Sequence, residues 1–347
     1  MGKAVRLSDI AQRAGVSIVT VSKALSGQKG VSEEKRKQIE EIADELGYRK
    51  IVSGAGSEER KTHTIGVIIA ERFLDENQSF YWTFYQEISK YAVSRNCFAM
   101  LEVIGLNDEK GRRVPRMMEE NQIEGLIILG SFTQGYEQSL GRTVSVPVVY
   151  LDTVGSASGC DCVVTNNLMG GYTMTNYLLR MGHRKIGFVG TLLATQSIDD
   201  RYLGYLKALM EHGIEVNPDY VIDDRGREKG DVDPELYFSL PSDDMPTAFF
   251  CNCDGTASCL IEKLRRQGYA VPDDISVAGF DDFAPDQWAD VALTTCSIRV
   301  KDMAKRAVHI LVHKIEGKPY SSGIHSFTGT FTERDSVRKI GDPVPFV

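Results

Sequence analysis

Leu7-Ser8-Asp9-Ile10-Ala11-Gln12-Arg13-Ala14-Gly15-Val16-Ser17 places apolar side chains at 7, 10, 11 and 14, one face of a short helix, and then breaks at a glycine. The pattern resumes with Ile18, Val21 and Leu25, and again with Ile39, Ile42, Ala43 and Leu46. Three short helices sharing one small core are expected. Ser8, Ser17 and Ser32 are the N-cap candidates, Glu33 and Glu34 suit the positive start of the third helix dipole, and Gly47 suits its C-cap. The glycine turn Ala14-Gly15-Val16-Ser17 is what two steeply crossing helices of a helix-turn-helix require. The second helix is then the reader. Ile18 and Val19 suit thymine methyls, Thr20 and Ser22 offer hydroxyls, and Lys23 offers a cation for guanine or phosphate. Any small three-helix bundle with a basic face would share this patterning.

Charge is distributed to match. The whole chain of 347 residues carries a net −8, but residues 1–50 hold ten Lys and Arg against seven Asp and Glu, and the remainder holds 30 against 41. A local basic patch is all that attraction to nucleic acid needs.

Outward from this segment, β-rich runs alternate with helical patterns: Ile65–Ala70, Phe98–Val103, Gly125–Leu129, Val146–Leu151, Lys185–Gly190, Thr247–Cys251 and Ile275–Gly279. Such alternation over some 280 residues predicts two doubly wound parallel α/β lobes, with ligands held beyond the carboxyl ends of the strands.

The exact strings say more. Leu7 to Ser17, Thr20-Val21-Ser22-Lys23-Ala24-Leu25-Ser26, Val31-Ser32 and Leu46-Gly47-Tyr48-Arg49 closely resemble the headpiece of the LacI/GalR repressor family. Further family motifs follow in order: Thr64-Ile65-Gly66-Val67-Ile68, Ile123-Glu124-Gly125-Leu126-Ile127, Gly170-Gly171-Tyr172, Gly182-His183-Arg184-Lys185-Ile186, Ile275 to Asp282, Leu293-Thr294-Thr295 and Arg334-Asp335-Ser336.

The resemblance implies a small all-α helix-turn-helix headpiece at 1–50 and a linker at 51–61. It implies an effector-binding and dimerisation domain at 62–340 of periplasmic-binding-protein-like type. Its N-lobe is expected over 62–160 plus 292–322, and its C-lobe over 161–291 plus 323–340. Ile18, Val19 and Lys23 fall on the base-reading positions, although many members carry arginine where Lys23 stands. Arg6, Ser17, Lys29, Tyr48 and Arg49 complete the expected DNA face. Near-palindromic double-stranded operator DNA and a homodimer are the implied partners.

Family linkers form a hinge helix ending in a leucine wedge. Here Ser53-Gly54-Ala55-Gly56-Ser57 puts serine at the wedge position, and each glycine costs about 1 kcal/mol in a helix. A flexible linker is expected, with weaker operator bending or a wedge supplied by Ile51 or Val52.

Carried over to the sensor, Arg201 matches the effector-clamping arginine and Asp254 the effector-binding aspartate; a surface ion pair is the plainer account of each. Phe80 and Tyr81 match an aromatic pair that stacks on ligand, Asp152 ends a strand at the cleft, and Trp288 is another stacking face. For these aromatics core packing serves equally well. Asp75, Asn77, Ser131, Asn252 and Asp282 lie at strand ends or adjoining loops. Asn166 stands where many members have aspartate, and His183 matches a structural Gly-His turn.

The sequence argues against other classes. The apolar runs reach about six residues, far short of the ~20 of a membrane span, and the amino-terminal segment has no secretory pattern, so a cytoplasmic address is expected. Seven scattered cysteines suit reduced thiols, and Cys160/Cys162 and Cys251/Cys253 suit strand faces better than zinc knuckles. No nucleophile elbow, metalloprotease, phosphate-loop or dinucleotide motif occurs, so neither an enzyme nor a cofactor is expected. The expected effector is a sugar or oligosaccharide. A purine or nucleoside, a phosphocarrier protein docking on the sensor, and a plain ligand carrier without DNA function are the alternatives.

Overall fold

The computed structural model describes residues 5–25, 27–46, 48, 62–74, 79–155, 159–226, 232–283 and 291–347. The linker at 51–61, Gly47, Arg49, Asp75, Asn77 and Trp288 lie outside them. The chain divides into two units between Lys61 and Thr62.

In the first unit, α1 (Leu7–Ala14), α2 (Ile18–Leu25) and α3 (Glu33–Glu45) close over Ile10, Ala11, Ala14, Val21, Ala24, Ile39 and Ala43. Ser8 is not the first cap. The Asp9 carboxylate accepts the Arg6 amide at 2.7 Å, so the helix starts at Leu7 with Arg6 as its N-cap. Gly15 ends α1 at φ 64°, a left-handed conformation that costs glycine little. Ser17 does cap α2, its Oγ accepting the Thr20 amide at 3.1 Å, and Ser32 caps α3 by backbone conformation without a side-chain bond. Ile18 is solvent-facing; Val21 and Ala24 supply the core contact of α2.

The second unit runs β1 (His63–Ala70), α4 (Phe80–Ser94), β2 (Cys97–Ile104), α5 (Leu106–Gly111), α6 (Arg116–Glu119), β3 (Gly125–Leu129), α7 (Gln134–Thr143), β4 (Val148–Leu151) and β5 (Cys162–Thr165). It continues α8 (Asn167–Arg180), β6 (Ile186–Val189), α9 (Gln196–Glu211), β7 (Val221–Ile222), α10 (Pro234–Tyr237), β8 (Ala248–Cys251), α11 (Asp254–Arg266) and β9 (Ser276–Ala278). It closes with β10 (Thr295–Ser297), α12 (Val300–Ile315), β11 (Ile324–Phe327) and β12 (Thr330–Thr332).

One lobe is a parallel sheet ordered β11-β5-β4-β3-β1-β2, the other a parallel sheet ordered β7-β6-β8-β9, and β10 pairs β12 antiparallel as a separate two-stranded ribbon. Nearly every residue of β1 and β3 is buried, as central strands covered on both faces require. All seven strands read from the β-rich runs are present, though the lobe limits move. β5 pairs β4 and β11 pairs β5 in the first sheet, so residues 162–165 and 324–327 belong to the N-lobe and not the C-lobe. Each of these strands is four residues long and carries no separate pattern that ties it to either sheet. Within the described residues the chain therefore passes between the lobes after β5, along β10 and between β11 and β12.

Candidate functional site: an interlobe cavity and a headpiece face

A cavity of about 560 Å³ opens where the carboxyl ends of the strands of both lobes meet. Its N-lobe wall is Glu71, Arg72, Phe73 and Leu74 after β1, Ser79, Phe80 and Tyr81 at the start of α4, and Asp152 after β4. Its C-lobe wall includes Thr195, Ser197, Ile198 and Arg201 from the start of α9, Arg225 and Val232, Asn252 and Cys253 after β8, and Asp281 and Phe283 after β9.

Helix capping aims these groups. Ser79 accepts the Tyr81 amide at 3.2 Å, Thr195 accepts that of Ile198 at 3.3 Å, and the Cys253 thiol accepts that of Thr256 at 3.4 Å. Three helix N-termini are thereby fixed at the cavity rim.

The Tyr81 hydroxyl donates to Asp152 Oδ2 at 2.9 Å, and Asp152 Oδ1 is enclosed with no partner among the described residues. Asp152 holds a left-handed φ of 60° just past the end of β4. Burial pushes its carboxyl up to about 6, against the pull of the Arg201 charge and the Tyr81 hydrogen bond. Burial, and then the Asp152 charge, raise the Tyr81 phenol well above its ordinary value.

Arg201 is buried and held by neutral acceptors: Nε donates to Asn167 Oδ1 at 2.9 Å and Nη1 to the Asn252 carbonyl at 2.5 Å. Its guanidinium lies 3.9 Å from the Phe280 ring centroid. The helix bearing it sits unusually close to α8. A Cβ on Gly204 would meet the Leu168 carbonyl oxygen at 2.1 Å, and one on Gly171 would meet that of Arg201 at 2.2 Å.

A second cluster braces the C-lobe wall. The fully buried Asp224 accepts from Arg225 Nη2 at 2.6 Å, Asn252 Nδ2 at 2.7 Å, Thr256 Oγ1 at 2.6 Å and the Thr191 amide at 2.9 Å. Burial opposes ionisation there, but the Arg225 charge and these donors hold the carboxyl down at about 2.

Of the expected effector residues, the cavity brings together Phe80, Tyr81, Asp152, Arg201 and Asn252. It does not include Ser131, Asp254 or Asp282. The Ser131 carbonyl accepts Arg72 Nη2 at 2.9 Å. Asp254 turns inward to accept Thr295 Oγ1 at 2.8 Å, and Asp282 pairs with Arg334 at 2.7 Å. Asp281 faces the cavity in their place. Successive positive φ values at Asp281 (94°) and Asp282 (55°) decide which of the two adjacent aspartates points inward, and no sequence pattern announces that. Arg225, Arg72 and Phe283 were also missed, because they follow strands in loops without a motif.

In the headpiece, Ile18 and Val19 are 52% and 63% exposed, side by side at the start of α2. Arg6, Ser17, Ser22, Lys23 and Lys29 are also exposed. Thr20 is half-buried, its hydroxyl 2.8 Å from that of Ser17. Tyr48 packs on the headpiece core and its amide donates to Ala43 at 2.8 Å. Arg36 was not foreseen: it ties the segment after α2 to α3 by donating to the Ala24 carbonyl at 2.6 Å and the Gln28 carbonyl at 2.9 Å.

Among known proteins, residues 6–50 match the model of bacterial regulatory proteins of the lacI family, and residues 175–337 match a periplasmic binding protein-like domain. An HTH-type transcriptional repressor PurR from Vibrio campbellii is 27% identical over 336 residues, 96% of this chain and 99% of its own. A ribose operon repressor from Haemophilus influenzae is 26% identical over 310 residues, 89% of this chain and 92% of its own. The structure of a lac repressor dimer bound to operator and an anti-inducer superposes with a TM-score of 0.71 at 20% identity, covering 97% of this chain and 100% of that one. That of a CelR–cellobiose complex gives 0.65 at 22% identity, covering 96% and 99%. With these two domains in this order over nearly the full length of its relatives, the chain belongs to the LacI family of bacterial regulatory proteins and is a DNA-binding transcriptional repressor.

Proposed function

We propose that this repressor is released from its operator by a small hydroxyl-rich molecule, a sugar or short oligosaccharide, held in the interlobe cavity. The observation that carries the reading is the enclosed, unpartnered Oδ1 of Asp152 on the cavity wall, beside the Tyr81 hydroxyl and the Arg201 guanidinium. An enclosed acceptor without a donor is costly, and a ligand hydroxyl removes that cost. Phe73, Phe80 and Phe283 offer ring faces of the kind that cover the apolar side of a sugar, and about 560 Å³ is the scale of a small-molecule site. Similar structures hold cellobiose and ribose, and one relative is a ribose operon repressor.

On DNA, two copies would read a near-palindromic operator, with Ile18, Val19 and Lys23 at base edges and Arg6, Lys29 and Tyr48 along the backbone. Effector binding would change the equilibrium between lobe arrangements, and with it the spacing of the two headpieces.

Thermal-shift measurements on the full chain against a panel of pentoses, hexoses, disaccharides and nucleosides test the effector class. Stabilisation by a carbohydrate, lost in Asp152→Asn, supports it. A shift with a nucleoside alone overturns it.

A further inference from the structure

Arg225 lines the cavity from a loop after β7, and all of it but one arm is tied down. Its amide donates to Thr191 Oγ1 at 3.0 Å and its carbonyl accepts that hydroxyl at 2.7 Å, which fixes the main chain. Its Nε donates to Asp224 Oδ2 at 3.0 Å, and Nη2 donates to the same oxygen at 2.6 Å, to Thr256 Oγ1 at 3.2 Å and to Asn252 Oδ1 at 3.3 Å. Among the described residues Nη1 meets no acceptor. A guanidinium anchored in this way has given up its side-chain freedom before any ligand arrives, so the remaining arm binds at little further entropic cost.

Arg201 stands on the same wall. The Asn252 carbonyl accepts its Nη1 at 2.5 Å while Asn252 Oδ1 accepts Arg225 Nη2, so one asparagine holds both guanidiniums. Among the described residues Arg201 Nη2 has no acceptor and the side chain no ion pair; Asp152 and Asp281 act on its charge from beyond ion-pair distance. A cation only 5% exposed and held by neutral acceptors is costly until a counter-charge reaches it.

The two walls of the cavity differ in charge. The C-lobe wall presents Arg201 and Arg225 against Asp281, whereas the N-lobe wall presents Glu71 and Asp152 against Arg72, which Glu109 already pairs. Asp224, the partner of Arg225, is fully buried and does not reach the wall. The amino ends of α9 and α11 add positive partial charge on the C-lobe side.

We propose that the effector carries an oxyanion, a carboxylate or a phosphate ester, and that Arg225 binds it on the wall it shares with Arg201, leaving the hydroxyls of the same molecule to Asp152 and Tyr81. The inference rests on the sugar reading above and narrows it to sugar acids and sugar phosphates. Arg225 Nη1 and Arg201 Nη2 are the donors; Asp224, Asn252 and Thr256 are positioning residues that hold the Arg225 fork in place. Charge-assisted bonds to an oxyanion are about twice as strong as those to a neutral hydroxyl, which sets an acidic sugar above its neutral parent.

Calorimetric and thermal-shift titrations of the full chain test this with glucose, galactose and ribose beside their aldonic acids, the hexuronic acids and the sugar phosphate esters. In the wild type an acid or a phosphate ester should bind about tenfold or more tightly than its neutral parent, and rising chloride should weaken the charged ligand alone. Preference for the carboxylates or for the phosphate esters supports the proposal and identifies the source of the charge. Arg225→Lys keeps a cation for Asp224 but replaces the fork with a single nitrogen, and should reduce the preference about tenfold. A neutral sugar that binds the wild type as tightly as its acid overturns the oxyanion while leaving the sugar reading intact. A wild type stabilised by no acidic or phosphorylated sugar overturns it as well, and both results are read on wild-type protein whether or not the variant folds. An undiminished preference in Arg225→Lys overturns the assignment to Arg225.

Discussion

The Tyr81 hydroxyl reaches across the first lobe to donate to Asp152 at 2.9 Å, joining the start of α4 to the end of β4 at the cavity wall. Tyr81→Phe leaves that Asp152 oxygen without its donor, at a cost of about 1–3 kcal/mol in the unfolding free energy. Asp152 has its carboxyl raised to about 6, so its contribution to stability is fully present below about pH 4 and is lost as pH rises through about 6. Asp152→Asn should flatten that part of the wild-type curve of melting temperature against pH. A variant that keeps the wild-type slope would show that Asp152 is ionised throughout.

Asp224 behaves with the opposite sign. Its carboxyl sits near 2, so the stability it contributes is present above about pH 4 and disappears as pH falls through about 2. Asp224→Ala strands the Arg225 guanidinium beside Asn252 and Thr256, a loss of about 3–5 kcal/mol by urea unfolding. The double change Asp224→Ala with Arg225→Met should recover part of that loss. A single variant within about 1 kcal/mol of wild type would mean water reaches the cluster.

The close crossing of α8 and α9 makes Gly204 a sensitive position. An alanine methyl at Gly204 must displace the Leu168 carbonyl, which is backbone and has no rotamer to change. Gly204→Ala should cost about 1–3 kcal/mol and weaken effector binding besides, since Arg201 rides on the displaced helix. Equal melting temperatures and equal ligand shifts in the two proteins would refute this.

In the headpiece, Ile18→Ala and Val19→Ala should weaken binding to the cognate operator several-fold while leaving the dependence of affinity on salt unchanged, because an apolar contact releases no counterion. Lys29→Ala should lower the salt slope by about 1 and weaken all DNA sequences alike. Fluorescence anisotropy at several salt concentrations separates the two. A salt slope that moves with Ile18 and not with Lys29 would reverse these roles.

The sequence by itself determined the local features of this protein. Apolar spacing at three and four residues was enough for α1 to α3, the glycine turn was enough for their crossing, and β-rich runs marked β1, β2, β3, β4, β6, β8 and β9. These signals are contained within a window of a few residues, where side-chain periodicity reports the buried face directly.

Only the tertiary structure decided which residues of the site meet. The placement of β5 and β11 in the first sheet depends on pairing between segments about 160 residues apart. The choice of Asp281 over Asp254 and Asp282 as the cavity-facing carboxylate depends on two backbone angles and a hydrogen bond to Thr295. Asp224 and Arg225 gain their meaning from Thr191, Asn252 and Thr256, which the ends of β6 and β8 and the start of α11 deliver to one point. Charges and donors act through distance in space, and distances between remote segments exist only once the chain has folded.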